Sequence, residues 1–376
     1  MYDLIIRNAR LSDEQVVDIA LQDGRIAAVG NVQGTARRER DLAARFYLSA
    51  GWIDSHVHCY PKSPLYHDEA DAIGVAHGVT TVVDAGSTGA EHIDDFYQLT
   101  RAAQTQVYAL INIARTGIVT QNELADMTQI DGEAVKQAVA RLPDFIVGLK
   151  ARISSSVVGQ NGVQPLIKAK AIQQASGGLP LMVHIGNNPP NLDQIADLLT
   201  TGDIITHCFN GKPNRILTPQ GELKAAVKHA IARGVKLDVG HGSASFSFEV
   251  ARVAIAQGIL PDTISSDIYC RNRLAGPVHS LAHVMSKFFS VGMTLPQVID
   301  CVTINAAAGL RLLRKGQLKV GYDADLTVFS IKEETRPFID SEGEEVAGEK
   351  HLVPLAAVVA GTWIATEEGI AHDLGL

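Results

Sequence analysis

The sequence predicts an α/β protein: a (β/α)8 TIM barrel with a small β-sandwich domain built from both ends of the chain. From residue 51 onward, short apolar runs alternate with longer amphipathic stretches, which is the pattern of βα units around a parallel sheet. Eight such alternations over about 250 residues fit one barrel. Both ends of the chain show strand patterns instead. The predicted boundaries are 1–50 and 314–376 for the β domain and 51–313 for the barrel.

The first 50 residues alternate short strand-like runs with polar turns. Strands are predicted at 3–7, 15–21 and 25–29. The Asp23-Gly24 pair between the last two is a strong hairpin signal. We therefore expect a small β module here.

The predicted barrel strands are apolar runs, and amphipathic helices fill the intervals between them. A doubly wound open sheet is the alternative, but no Gly-x-Gly-x-x-Gly turn follows the first strand, which disfavours a dinucleotide-binding version. Strands are predicted at 52–57, 79–84, 107–113, 145–149, 181–185, 204–207, 236–239 and 263–267. Helices are predicted at 93–103, 132–141, 164–175, 222–233 and 246–257.

After a helical segment at 295–313, strand patterns return at 326–330, 352–360 and 362–365. These strands most economically rejoin those of the first 50 residues. The acidic stretch 340–349 is predicted to be a solvated loop.

Composition excludes several kinds of partner. The formal net charge is −8 and no basic stripe is present, which argues against nucleic acid or an anionic membrane as partner. No stretch reaches the roughly 18 apolar residues of a membrane span, and no signal-peptide pattern opens the chain, so we expect a cytoplasmic protein. The four cysteines show no Cys-x-x-Cys spacing and are expected to be reduced.

The first predicted barrel strand ends in His56-Val57-His58. Because side chains alternate along a strand, both imidazoles point the same way and can bind one metal ion. A surface or core pair is the ordinary alternative for an isolated His-x-His. Here, however, further strands end in metal-binding or chargeable groups, at the rim where barrel enzymes keep their chemistry. These groups are Lys150, His184, His207 and Asp267.

This set of residues, with the segments 303–310 and 316–326, resembles the amidohydrolase superfamily of metal-dependent hydrolases. Segments 56–60, 238–242 and 245–248 are similar to its dihydroorotase-like deacetylase branch. The resemblance implies two divalent ions. Their ligands would be His56, His58 and Asp267 on the more buried ion, His184 and His207 on the more exposed one, and N6-carboxylated Lys150 as a bridge between them.

A carboxylated lysine has a physical requirement. The ammonium form, with a pKa of roughly 10.4, cannot bind a metal, whereas burial at an apolar strand end favours the neutral amine, which adds CO2. An ion-paired Lys150 is the alternative. We expect zinc, although manganese, cobalt or iron would accept the same nitrogen and oxygen ligands.

The ligand set predicts hydrolysis by a metal-bridging hydroxide, since water shared by two cations has its pKa lowered toward about 7. Asp267 would act as general base and then as general acid, while the less buried ion polarises the substrate carbonyl. The resemblance implies a small-molecule substrate that carries a carboxylate. An acetyl or small acyl group would be released from its amide or ester.

Other reactions stay open on this scaffold. Relatives that open cyclic ureides or dihydroorotate carry an arginine two positions after the second histidine. This chain has Tyr60 there, which argues against a cyclic amidase of the dihydroorotase type. A lyase or isomerase would use the same hydroxide and carboxylate. Relatives are commonly oligomeric, so a homo-oligomer is also left open.

Arg152 lies two residues beyond Lys150, on the same strand face. It is predicted to steady the oxyanion or a substrate carboxylate, with a salt bridge at the barrel rim as an equal alternative. His241 is predicted to contact substrate, because Gly240 and Gly242 allow close backbone approach. Further candidates near the mouth, each as readily a loop anchor, are Tyr60, Asn187, Asn188, Asn210, Arg115 and Arg271.

Overall fold

Two sheets organise the protein. The computed structural model describes residues 1–372 and Leu374. A curled sheet of seven strands lies at the centre, and a sheet of eight strands takes its members from both ends of the chain.

The first 50 residues supply five strands of the eight-stranded sheet. They are β1 (Tyr2–Arg10), β2 (Val16–Gln22), β3 (Arg25–Gly30), β4 (Ala36–Asp41) and β5 (Tyr47–Ala50). The β2–β3 hairpin confirms the predicted turn, and Asp23 and Gly24 both have positive φ, as such turns require. Strand β4 was not predicted, because its residues are mostly charged; it pairs with β1 and stays largely exposed.

The central sheet is parallel throughout, and its strands follow chain order. They are β6 (Trp52–Val57), β7 (Val79–Ala85), β8 (Gln106–Asn112), β9 (Ile146–Ile153), β10 (Leu181–Ile185), β11 (Ile204–Thr206) and β12 (Lys236–Leu237). Most of these residues are buried, as expected for a parallel sheet covered on both faces.

The predicted eighth strand at 263–267 is wrong as a regular strand. Isolated parallel bridges join Thr263 to Asp238 and Ile268 to Val57, so this segment lies between the two edges of the seven-stranded sheet. Asp267 has a φ of 53°, which interrupts the extended backbone.

Helices lie mostly between the strands. They are α1 (Ala70–Ile73), α2 (Ile93–Thr100), α3 (Gly132–Arg141), α4 (Ser155–Val158), α5 (Gln164–Ala175), α6 (Leu192–Leu198), α7 (Ala225–Ala232), α8 (Phe248–Ala256), α9 (Cys270–Leu274), α10 (Leu281–Lys287), α11 (Leu295–Cys301), α12 (Ile304–Gly309) and α13 (Glu367–Ala371). The predicted bounds of α3 and α5 are confirmed. The helical segment predicted at 295–313 contains two helices, which Thr303 separates because it leaves the helical conformation (φ −129°, ψ −96°).

The remaining strands are β13 (Leu326–Ile339), β14 (Glu345–Val359) and β15 (Thr362–Ala365). Because β13 pairs with β5, the two ends of the chain share one sheet, as predicted. The solvated loop predicted at 340–349 is wrong: residues 345–349 belong to β14, and Asp340 is buried. Acidic residues can face solvent on one side of a hairpin strand, so their number does not exclude pairing.

Apolar side chains form one large cluster around the central sheet and a second within the terminal sheet. That the terminal sheet is a separate β-sandwich domain, with the boundaries given above, stays a prediction. The four cysteines are free. In the described part of the chain, no helix combines the length and the apolar character that a membrane crossing demands.

Candidate metal centre

The structure brings all six predicted ligands to the wall of one cavity of about 250 Å3. His56 and His184 lie near the ends of β6 and β10, and His58 and His207 directly follow β6 and β11. Lys150 lies within β9, and Asp267 lies in the irregular segment between the two edges of the central sheet. The polar side chains that the sequence analysis singled out therefore meet in one cavity. The six are His56, His58, Lys150, His184, His207 and Asp267.

Hydrogen bonds fix the orientation of three imidazoles. Nδ1 of His56 lies 2.9 Å from Thr206 Oγ1, Nδ1 of His58 lies 2.8 Å from Ser87 Oγ, and Nδ1 of His207 lies 2.6 Å from the Gly240 carbonyl oxygen. A carbonyl only accepts, so His207 carries its proton on Nδ1 and keeps a lone pair on Nε2. Partners of this kind are those that hold metal-binding histidines in place.

Nitrogen and carboxylate ligand atoms cluster on the cavity side. Ligand atoms of His56, His207 and Asp267 all lie within 4.8 Å of one another. Asp267 Oδ1 is 2.9 Å from Nε2 of His58, and His184 Nδ1 is 2.9 Å from Nε2 of His207. This donor set and its spacing fit a divalent ion bound by nitrogen and oxygen.

Asp267 keeps a charged carboxylate in this cluster. Burial opposes the charge, but the adjacent imidazoles of His56 and His58 hold the pKa of the carboxyl well below its usual range. One fifth of the side chain is still exposed. The carboxylate can therefore both bind an ion and meet a substrate.

Lys150 meets the requirement stated for a carboxylated lysine. Its side chain is fully buried, and its Nζ donates to the Ala85 carbonyl at 3.0 Å and lies 3.4 Å from His56 Nε2. Burial lowers the pKa of the amine to about 8, so the neutral form is accessible near neutral pH. Within the described residues, Lys150 has no carboxylate at ion-pair distance, so the ion-pair alternative is not observed.

Glycines let the backbone pack directly against these ligands. A Cβ on Gly86 would lie 2.6 Å from Lys150 Cγ, and one on Gly240 would lie 2.9 Å from Nδ1 of both His56 and His207. The close backbone approach predicted at Gly240 is thus made toward two candidate metal-binding histidines of this chain rather than toward a bound molecule.

Arg152 adopts the salt bridge that was the alternative to its predicted catalytic role. Its Nε donates to Glu123 Oε2 at 2.7 Å and its Nη2 donates to Glu123 Oε1 at 2.5 Å, with both residues buried. Arg152 still lines the cavity, beside the ring of Tyr66. Its positive charge is thus neutralised by a protein carboxylate.

His241 is not among the residues that line the cavity with the candidate ligands, so its predicted substrate contact stays a prediction without support from this geometry. The imidazole is fully buried and stacks on Phe246, and its Nε2 lies 2.8 Å from Nζ of Lys287. Strand alternation did not reveal this, because the chain turns at Gly240 and Gly242, which both have positive φ.

Tyr60 and Asn210, also predicted as substrate contacts, are loop anchors in this structure. The Tyr60 hydroxyl donates to Asp95 at 2.7 Å, outside the ligand cavity. Asn210 is fully buried and donates to the carbonyl of His207. In the described part of the chain, the cavity wall also lacks Asn187, Asn188, Arg115 and Arg271.

Several residues of the cavity wall were not found from the sequence. Tyr66, Gln121 and Tyr269 come from loops far apart in the chain, and no spacing marks them. Lys212 could have been found, because it lies only five positions after His207.

The β13–β14 hairpin reaches this site. Residues 243–245 line the cavity, and the hairpin tip holds the chain on both sides of them: Ser341 Oγ donates to the Gly242 carbonyl, and Asp340 Oδ2 accepts from the Phe248 N–H at 2.9 Å. The terminal sheet therefore supports one wall of the cavity.

Known proteins share both this sequence and this fold. A deacetylase from Enterococcus faecalis is 46% identical over 362 residues, which are 96% of this chain and 98% of that protein. The chain belongs to the deacetylase-like family. In agreement, the model of a deacetylase-like composite domain matches residues 318–363 of this deacetylase-like chain.

Solved structures place this deacetylase-like chain among amidohydrolases. A crystal structure described as an adenine deaminase superposes with a TM-score of 0.96 at 46% identity and covers 97% of this chain and 100% of that one. A structure described as a dihydroorotase gives 0.89 at 34% identity and covers 97% and 98%. The chain is thus a hydrolase of the amidohydrolase superfamily with a TIM-barrel-like fold.

Proposed function

We propose that this protein is a binuclear metal-dependent hydrolase that releases an acetyl or small acyl group from the amide or ester of a carboxylate-bearing small molecule. The observation that carries the proposal is the convergence of four imidazoles, a carboxylate and a buried lysine on one cavity. The relative named deacetylase supports an acetyl group as the acyl group that water attacks.

In this proposal two zinc ions share the cavity. His56, His58 and Asp267 would hold one ion, and His184 and His207 would hold the other. Lys150 would complete the ligand set as an anionic carbamate, formed when its neutral amine nitrogen bonds to the carbon of CO2 and loses one proton. The donor set is what supports this assignment: imidazole nitrogens with fixed orientation and an ionised carboxylate.

The bound ions supply Lewis acidity, which lowers the pKa of a water molecule and polarises the acyl carbonyl. Asp267 then takes the proton of the attacking water on its carboxylate and passes it to the leaving amine or alkoxide. Its partly exposed side chain, beside His58, suits both transfers. Arg152 is held by its salt bridge to Glu123 and forms part of the cavity wall next to Tyr66, so its guanidinium is not free to bind a substrate carboxylate.

Ring opening of a cyclic amide is the second candidate, because a structure described as a dihydroorotase is 34% identical to this chain. Ring opening needs the same hydrolytic groups as acyl release, so only activity measured on different substrates distinguishes the two reactions. Lyase or isomerase chemistry would release no acyl group.

A substrate screen tests the proposal. The zinc-loaded protein is given N-acetyl amino acids, O-acetyl hydroxy acids, dihydroorotate, hydantoins and adenine, and acetate release, ring opening and ammonia release are measured. We expect acetate release that a chelator abolishes and zinc restores, with about two metal ions per chain by elemental analysis. Ring opening or ammonia release without acetate release would refute the acyl hydrolase assignment.

A further inference from the structure

Three lysine and arginine side chains line the candidate metal cavity, and two of them already have partners or a proposed role. Arg152 is paired with Glu123, and Lys150 lies against His56 at the centre of the ligand set. The third is Lys212. Among residues 1–372 and 374, no carboxylate lies at ion-pair distance from the Lys212 ammonium.

An ammonium without a counter-charge is costly where water is partly excluded. Lys212 is part-buried, and burial lowers the pKa of its amine, although the more distant charges of Glu342 and Asp267 oppose that shift. The cavity therefore contains a desolvated positive group that a negatively charged ligand would satisfy.

The backbone of Lys212 is held in place beside the predicted ligands. Asn210 bridges the segment, because its Nδ2 donates to the His207 carbonyl and its Oδ1 accepts the Lys212 N–H, both at 3.0 Å. Arg215 Nε donates to the Lys212 carbonyl at 2.9 Å. The backbone of Lys212 is thus fixed relative to His207, a candidate metal ligand, before any substrate arrives.

We infer that Lys212 binds the carboxylate of the substrate and so holds its acyl group in the cavity that the candidate metal ligands line. This inference rests on the proposed acyl hydrolysis. It assigns to Lys212 the carboxylate recognition that was predicted for Arg152, whose guanidinium is occupied by Glu123.

The test compares Lys212→Met with Lys212→Arg, using N-acetyl amino acids and O-acetyl hydroxy acids against their primary amides, in which the carboxylate is neutral. We expect Lys212→Met to raise KM for the acids about 10- to 100-fold, the effect of losing a charge-assisted hydrogen bond. Turnover of the amides and zinc content should not change. Lys212→Arg should recover part of the loss.

Lys224→Met is the matched control, since Lys224 is also part-buried but lies outside the cavity. Equal loss on acids and amides, or no loss on acids, would overturn the role of Lys212 while leaving acyl hydrolysis in place. If the wild type neither hydrolyses these acids nor binds them by calorimetry, the proposed function and this inference both fail.

Discussion

Two of the candidate metal ligands have a left-handed backbone conformation that residues other than glycine rarely adopt. His207 has a φ of 62° and Asp267 a φ of 53°. Each left-handed residue costs about 1 kcal/mol or more, and it persists only where its surroundings hold it. His207 directly follows β11, and Asp267 interrupts the extended segment between the edges of the central sheet. Both side chains line the cavity. The site is therefore shaped by backbone strain as well as by rotamers.

Replacing Asp267 by Asn removes the proton acceptor but keeps the shape of the side chain. Because general base catalysis contributes about 10²- to 10⁴-fold, we expect kcat for acetyl release to fall by that range. Much of the zinc should stay bound, since five other predicted ligands remain. Steady-state kinetics and elemental analysis measure both, and unchanged turnover would refute the role of Asp267.

Gly86 tests how closely the backbone must approach Lys150. In Gly86→Ala the new methyl would lie 2.6 Å from Lys150 Cγ, so the lysine must move. We expect zinc affinity to fall about 10-fold, as for disturbed support of a metal ligand. Zinc titration measures it. Gly258→Ala is the matched control, because Gly258 has the same φ of 81° with nothing within 4 Å; an equal loss there would point to backbone strain instead.

At the scale of elements, the β13–β14 hairpin joins the terminal sheet to the cavity wall. Asp340 at its tip accepts hydrogen bonds from three backbone N–H groups, those of Glu342, Glu344 and Phe248. The first two hold the turn, and the third holds the segment that follows the cavity wall. One buried carboxylate thus couples the turn to the wall of the candidate metal cavity.

We expect Asp340→Ala to lower the free energy of unfolding by about 2 kcal/mol or more, since buried donors lose their acceptor. Hydrogen exchange at 242–248 should accelerate, and kcat/KM should fall more than zinc content. Urea unfolding and exchange mass spectrometry are the measurements. Glu349→Ala, on an exposed position of the same hairpin, should change neither. Unaltered exchange at 242–248 in Asp340→Ala would contradict the coupling.

The strands and their polar ends were predictable from sequence because both depend on local pattern. Apolar runs mark the buried parallel strands, and the shared direction of these strands indicates that the polar groups late in them or just after them meet at one rim. The sequence left Arg152 open between a substrate contact and a salt bridge, because its partner Glu123 comes from a loop without any pattern. The burial of His241 outside the cavity was not predictable for a related reason: the positive φ of Gly240 and Gly242 on either side of it sets its direction, and no sequence pattern reports that direction.

At the scale of the whole molecule, Lys287 ties three separate parts of the chain together. Its fully buried Nζ lies 2.8 Å from His241 Nε2 and donates to the carbonyls of Pro277 and Ile339 at 3.0 and 2.6 Å. Burial lowers the pKa of this amine to about 7, against the opposing charge of Asp340. No sequence pattern indicates such a contact, because it depends on how the hairpin packs on α10.

This shift predicts a pH dependence of stability. Between pH 7 and the ordinary lysine pKa of 10.5, the unfolded chain binds more protons at residue 287 than the folded one, so stability should rise with pH. Relative to Lys287→Met, the wild type should gain up to about 1.4 kcal/mol per pH unit from pH 7 to 9. Urea unfolding at several pH values measures this gain.

Lys236→Met is the control at an exposed lysine. The difference in free energy of unfolding between the wild type and this variant should not change with pH. Parallel curves for the wild type and Lys287→Met would refute the shift.

The pairing of β5 with β13 has a consequence for the protein while it is being made. Residues 47–50 leave the ribosome long before residues 326–329, which are their hydrogen-bonding partners. Until then the nascent chain carries an open strand edge of the kind that recruits other chains. Any fragment that stops after the barrel keeps that edge, so prematurely terminated products should aggregate even where their central sheet has formed.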